Sequence, residues 1–157
     1  WADNRDLGNT RIYYSSEGDG KWRFLFYDCD LGFGIDSRYA SVSTVTYLYD
    51  WKKDSKICAL FVRLLENRQF KDRFLKRLAE LTITALSDQT VLGRIEELRA
   101  AIDHDMKYMV YMYSYEDWSQ VKVPRLQNYV TGRGKQLQED FAALLGLTEE
   151  EKTKYFG

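Results

Sequence analysis

Histidine, proline and cysteine are almost missing from these 157 residues, which contain one, one and two of them. The cysteines, Cys29 and Cys58, lack metal-ligand spacing, and the sequence leaves them open to pairing or to standing free. The lone histidine, His104, falls in a polar patch of an expected helix and is assigned no role. No apolar run reaches the roughly 18 residues of a membrane-spanning helix, so no transmembrane segment is expected. A surplus of charge is lacking too: 23 basic side chains face 24 acidic ones, for a formal net charge of −1. That balance argues against the basic surface of a nucleic-acid binder, and no nucleic-acid partner is expected. Repeats and low-complexity tracts are absent as well.

What is present suits a globular protein. Apolar residues make up 45% and charged residues 30%, and the length fits one domain with a respectable core. The chain opens at Trp1 in what reads as the middle of an element, so we expect a piece of a longer protein. Two aromatic and β-branched runs between Arg11 and Asp28 flank "SEGDG", the signature of a β-hairpin. Apolar residues fall on both faces of its second run, which predicts a hairpin covered on both sides. Residues 35–56 lack a sustained period and are expected to be irregular.

Beyond them the pattern turns helical. Leu60, Phe61, Leu64 and Leu65 mark one helix, and Phe70, Phe74, Leu78, Leu81 and Ala85 a second, N-capped by Asn67. Ser87 caps a third, with a stripe through Val91, Ile95, Leu98, Ile102, Met106 and Met109. "SYED" at Ser114–Asp117 reads as a cap before Trp118 and Val121, and Pro124 interrupts or restarts that helix. Helical spacing runs on through Leu126, Val130, Arg133, Leu137, Phe141 and Leu144, weakened by Gly132 and Gly134, and "TEEE" at Thr148–Glu151 fits a capping box. Aromatics at helical spacing, as in "YMVYMYSYEDW", are expected in the core. Arg133 sits in an apolar stripe, where its charge needs a partner. The fold class is α+β, predominantly α-helical: a β-hairpin followed by a helical array. We expect one domain, with residues 1–34 holding the loop and hairpin and residues 57–157 the helices.

Chemistry concentrates before residue 35. "NRDLGN" precedes the hairpin with Asp6 and Asn9, and "YDCDLGFG" follows it with Asp28 and Asp30. A hairpin returns its outer ends to one place, so these four oxygen-bearing side chains are expected to converge. Such hard donors suit Mg²⁺ or Mn²⁺. Protein kinases have the same order of parts: a base Asp and a metal-binding Asn, a hairpin, then a metal-binding Asp. Asp6 would then accept or orient a substrate hydroxyl proton, while Asn9, Asp28 and Asp30 hold the metal. Gly32 and Gly34 read as a flexible exit. Each short motif also satisfies the chemistry of an ordinary turn.

"NRDLGNTRIYY…GKWRFLFYDCDLGFG" resembles the motif region of the CotH kinase family, whose members carry an N-x-D-x-G-N-like segment, a "GKW" hairpin and a D-x-D ending. The similarity continues through "LFVRLLENRQFKDRFLKRLAELTITALS" and the stretch from Trp118 to Arg133, with Tyr129 where the family often has Phe. It implies the C-terminal lobe of an atypical protein kinase fold that transfers phosphate from ATP to Ser or Thr of a protein substrate, with Mg²⁺ or Mn²⁺. The catalytic role passes to Asp6 and the metal roles to Asn9, Asp28 and Asp30. A spore coat or other surface assembly is the implied setting. The strand-rich lobe and its phosphate-gripping lysine are not in this sequence, so the isolated chain is expected to be inactive. Two alternatives stand beside this reading. One is a non-catalytic helical interaction module. The other is a metal-dependent D-x-D glycosyltransferase, disfavoured because no βαβ nucleotide-binding unit precedes the motif.

Overall fold

The computed structural model describes residues 1–6, 8, 10–25, 27–34, 43–114 and 116–157. Helix dominates at 66% of the chain, and the one β element among the described residues is a two-stranded antiparallel hairpin. The expected class of hairpin followed by helical array is the observed one. Contacts divide the chain into two compact units, one of Ala2–Arg63 and one of Trp1 with Leu64–Gly157.

In the first unit, strands β1 (Arg11–Tyr14) and β2 (Trp22–Leu25) pair Arg11 with Leu25, Ile12 with Phe24, Tyr13 with Arg23 and Tyr14 with Trp22. The connecting loop is set by Asp19, whose carboxylate accepts from Lys21 N at 3.3 Å and from Arg23 Nη2 at 2.7 Å. Alternation puts Ile12, Tyr14, Trp22 and Phe24 on one face. The expectation that this hairpin is covered on both sides is wrong: every strand residue is exposed, Trp22 at 69% and Phe24 at 61%. Apolar pattern reports what a strand would prefer to bury, and with two strands in the sheet no neighbour among the described residues meets that preference.

The stretch expected to be irregular is helical in part. Residues 35–42 lie outside the described residues. A short helix α1 (Thr44–Thr46) is capped by Ser43 Oγ, which accepts from Thr46 N at 3.1 Å, and runs into a π-helical turn, Tyr47–Trp51. Val45 and Tyr47 are buried there. Helix α2 spans Lys56–Glu66. Cys29 and Cys58 are both free thiols, which settles the question the sequence left open.

In the second unit the caps fall largely where the sequence puts them. Asn67 Oδ1 accepts from Gln69 N and Phe70 N, both at 3.0 Å, to start α3 (Arg68–Ile83). Ser87 starts α4 (Asp88–Tyr113), and a complete capping box between Thr148 and Glu151 starts the last helix, Glu149–Phe156. The cap residues of "SYED" are divided between two elements rather than forming one cap. Ser114 is the left-handed C-cap of α4, and Asp117 is the cap of a π-helical turn, Trp118–Lys122, accepting from Gln120 N at 2.7 Å. Pro124 restarts the chain as α5 (Val123–Val130), and Gly132, at φ 73°, separates it from α6 (Arg133–Leu144). The final helix is thus α7.

Apolar clusters hold this unit. Leu75, Ala142 and Leu147 gather Phe74, Leu145, Tyr155 and Phe156, while Ile95, Val123 and Val130 gather Trp1, Trp118 and Tyr129 among others. Gly134 explains itself here. A Cβ at that position would meet Thr82 Cβ at 3.0 Å, so α3 and α6 approach more closely than alanine permits. Gln138 Nε2 donates to Thr82 Oγ1 at 2.6 Å across the same crossing. Arg133 is buried with its guanidinium 4.9 Å from the Tyr129 ring centroid, and its Nε donates to the Trp1 carbonyl at 3.1 Å. The α4 stripe is buried only in its first half, at Ile95. Leu98, Ile102 and Met109 of that stripe are exposed, and so are Tyr108 and Tyr111 among the aromatics expected in the core. Its 26 residues run about 39 Å, whereas the eight of α5 beside it run about 12 Å.

Candidate functional site

The segment before the hairpin folds through side chains that stand in for a backbone ladder. Asn4 Oδ1 accepts from Asp6 N at 3.0 Å, and Asp6 Oδ1 accepts from Gly8 N at 3.2 Å. These successive Asx-type turns hold the Asp6 carboxylate close to its own backbone. Asp6 is half-buried.

The segment after the hairpin lies against it. Phe33 N donates to the Ala2 carbonyl, and Asn4 Nδ2 reaches Cys29 Sγ at 3.4 Å. Gly32 N closes a turn on the Cys29 carbonyl at 3.0 Å. A Cβ on Gly32 would stand 2.8 Å from the Ala2 oxygen and 3.0 Å from the Cys29 oxygen, distances that side chains do not tolerate. Gly32 is therefore a buried packing requirement rather than the flexible exit expected of it. Asp28 and Asp30 flank Cys29 and are exposed.

Hairpin closure thus joins the Asp6 segment to the Asp28–Asp30 segment through backbone and through Asn4. Among the described residues no three Asp, Glu, His or Cys side chains form a group able to hold a metal ion. Asn9 lies outside the described residues. Asp6, Asp28 and Asp30 are hard oxygen donors, a set whose chemistry fits Mg²⁺ or Mn²⁺.

Strain concentrates at the same place. Among the described residues four non-glycine residues have positive φ, and three of them are Asp3 at 56°, Asp28 at 50° and Phe33 at 56°. Backbone held in the left-handed region needs support from its surroundings. For Asp3 that support is Arg5, which meets its carboxylate in a two-point fork, Nε to Oδ1 at 2.8 Å and Nη2 to Oδ2 at 2.9 Å. Both side chains are buried, at 6% and 7% exposure. The Arg5 guanidinium also lies 4.9 Å from the Tyr47 ring centroid. Sequence reasoning passed over Asp3, Asn4, Arg5 and Tyr47. The available signal was an arginine wedged between two aspartates in "DNRD", which asks for an ion pair.

The family model described as CotH kinase protein matches residues 1–137. The chain belongs to the CotH kinase family. The match takes in the Asp6 segment, the hairpin, the D-x-D and the helices into α6, and α7 lies beyond it. No curated protein and no solved structure matches this CotH-family chain.

Proposed function

We propose that this CotH-family chain carries the hydroxyl-activating and metal-binding part of a kinase that phosphorylates Ser or Thr of a protein substrate with ATP. The observation that supports it best is the junction of the Asp6 segment with the Asp28–Asp30 segment through Asn4–Cys29 and Phe33–Ala2, in a chain of a kinase family. The substrate hydroxyl oxygen bonds to the γ-phosphorus as the bond to the β–γ bridging oxygen breaks. Asp6 orients that hydroxyl and accepts its proton. Asp28 and Asp30, together with Asn9, would hold the metal. Mg²⁺ or Mn²⁺, when bound, neutralises charge on the phosphate oxygens. Both D-x-D residues are exposed to the solvent from which metal–nucleotide would arrive.

The test is Mg-ATP-dependent labelling of protein Ser/Thr by the full-length protein and its Asp6→Ala variant. Loss of a general base lowers transfer about 10²–10⁴-fold. Labelling that survives the substitution overturns the assignment. A second reading, a non-catalytic interaction module, draws on the exposed face of Ile12, Tyr14, Trp22 and Phe24. It predicts partner binding that is indifferent to EDTA and to Asp28→Asn.

A further inference from the structure

We propose that Arg5 is a positioning residue for Asp6, acting through its buried fork with Asp3 and its seat on Tyr47. This rests on the reading of Asp6 as the base. The chain order matters. Asp3 and Arg5 each stand one residue from Asn4, and Asn4 holds Asp6 N at one end of its amide and Cys29 Sγ at the other. A two-point Arg–carboxylate pair leaves little rotational freedom to either partner. Locking residues 3 and 5 therefore locks Asn4 between them, and with it the backbone donor of Asp6.

The pair also holds the backbone in a conformation it would otherwise leave. Asp3 sits at φ 56°, a region that Asp tolerates better than most residues but does not prefer. Unpairing Arg5 would leave a buried carboxylate without its charged partner on a strained residue, and relaxation there moves Asn4 first. Tyr47 supplies the far wall. Its ring is buried, with Arg5 at 4.9 Å and Lys52 Nζ at 5.8 Å from the centroid. The residue before the base is thereby tied to the π-helical turn that follows the D-x-D in the chain, within one compact unit. An ammonium has neither the fork nor the flat face, so lysine is not an equivalent substitute.

The experiment uses Arg5→Lys and Asp3→Asn, which keep polarity and size, and reads amide hydrogen exchange together with transfer kinetics. The Asp6 and Gly8 amides, whose acceptors are Asn4 Oδ1 and Asp6 Oδ1, should exchange about tenfold faster or more in both variants. Ala59 N, bonded to the Ser55 carbonyl in the same unit, should keep its rate. In the full-length protein kcat should fall about tenfold or more while KM for ATP stays within about twofold. Unchanged exchange at Asp6 and Gly8 overturns the proposal. So does a parallel rise at Ala59, which would mark Arg5 as a general stabiliser of the unit. If Asp6→Ala keeps full activity while the exchange pattern holds, the catalytic reading fails and the clamp on this segment stands.

Discussion

The two compact units are built on opposite principles. Leu64–Gly157 is a set of capped helices around apolar clusters, with Leu75 and Val130 fully buried and glycine used to bring α3 against α6. Ala2–Arg63 instead exposes its hairpin, buries a charged fork and holds three non-glycine residues at positive φ. Local rules agree with one another in the first case and conflict in the second. Conflict of that kind is characteristic of sites retained for chemistry rather than for stability.

The difference predicts where substitutions matter. Leu75→Ala should be the largest effect on stability, about 2–5 kcal/mol, because the residue is wholly buried and its neighbours are rigid helices. Urea unfolding followed by helical circular dichroism measures it. A loss under about 1 kcal/mol would erase the contrast between the units. Gly134→Ala comes next, at about 1–3 kcal/mol, since the new methyl meets Thr82 at 3.0 Å. Pairing it with Thr82→Ser, which removes the Thr82 methyl that the new Cβ would meet at 3.3 Å, should recover part of the loss.

Acid gives a smaller and more local effect at α7. The Thr148 N–H bonded to Glu151 holds that carboxyl below its ordinary range, and Lys76 with the Tyr155 hydroxyl does the same for Asp72. Groups with lowered folded pKa values contribute stability above the ordinary carboxylate range and lose it as pH falls through the folded values. Fraying of α7 should therefore begin below about pH 4 and be complete only at lower pH. Amide exchange of residues 149–156 against those of α3 checks the order of loss, and simultaneous loss of both helices would refute it. Smallest of all is Trp22→Ser on the exposed hairpin, expected within about 0.5 kcal/mol. A cost above about 2 kcal/mol would show that the hairpin face is packed in solution.

Most helix boundaries were legible in sequence because caps are local chemistry. Asn67, Ser87 and the Thr148–Glu151 box each satisfy donors within three residues, so no distant neighbour is needed to predict them. "SYED" misled for a related reason: Ser114 and Asp117 are both good cap residues, and the position of the α4 terminus chose between them. Burial was much less legible. The outer half of α4 and the hairpin have apolar patterns as strong as those that are buried, and a pattern does not say whether a neighbour exists.

The candidate site divides along the same line. Sequence alone singled out Asp6, Asn9, Asp28 and Asp30 as the candidates and determined the hairpin between them, because turn residues and alternation act over a few positions. It also carried the family, through motifs whose order survives in the linear chain. Only tertiary structure decided that Gly32 is pinned against the Ala2 carbonyl, that Asn4 bridges Asp6 to Cys29, and that Arg5 is spent on Asp3 and Tyr47. Those contacts join residues up to some forty positions apart, and their energies depend on burial, which no local stretch of sequence contains.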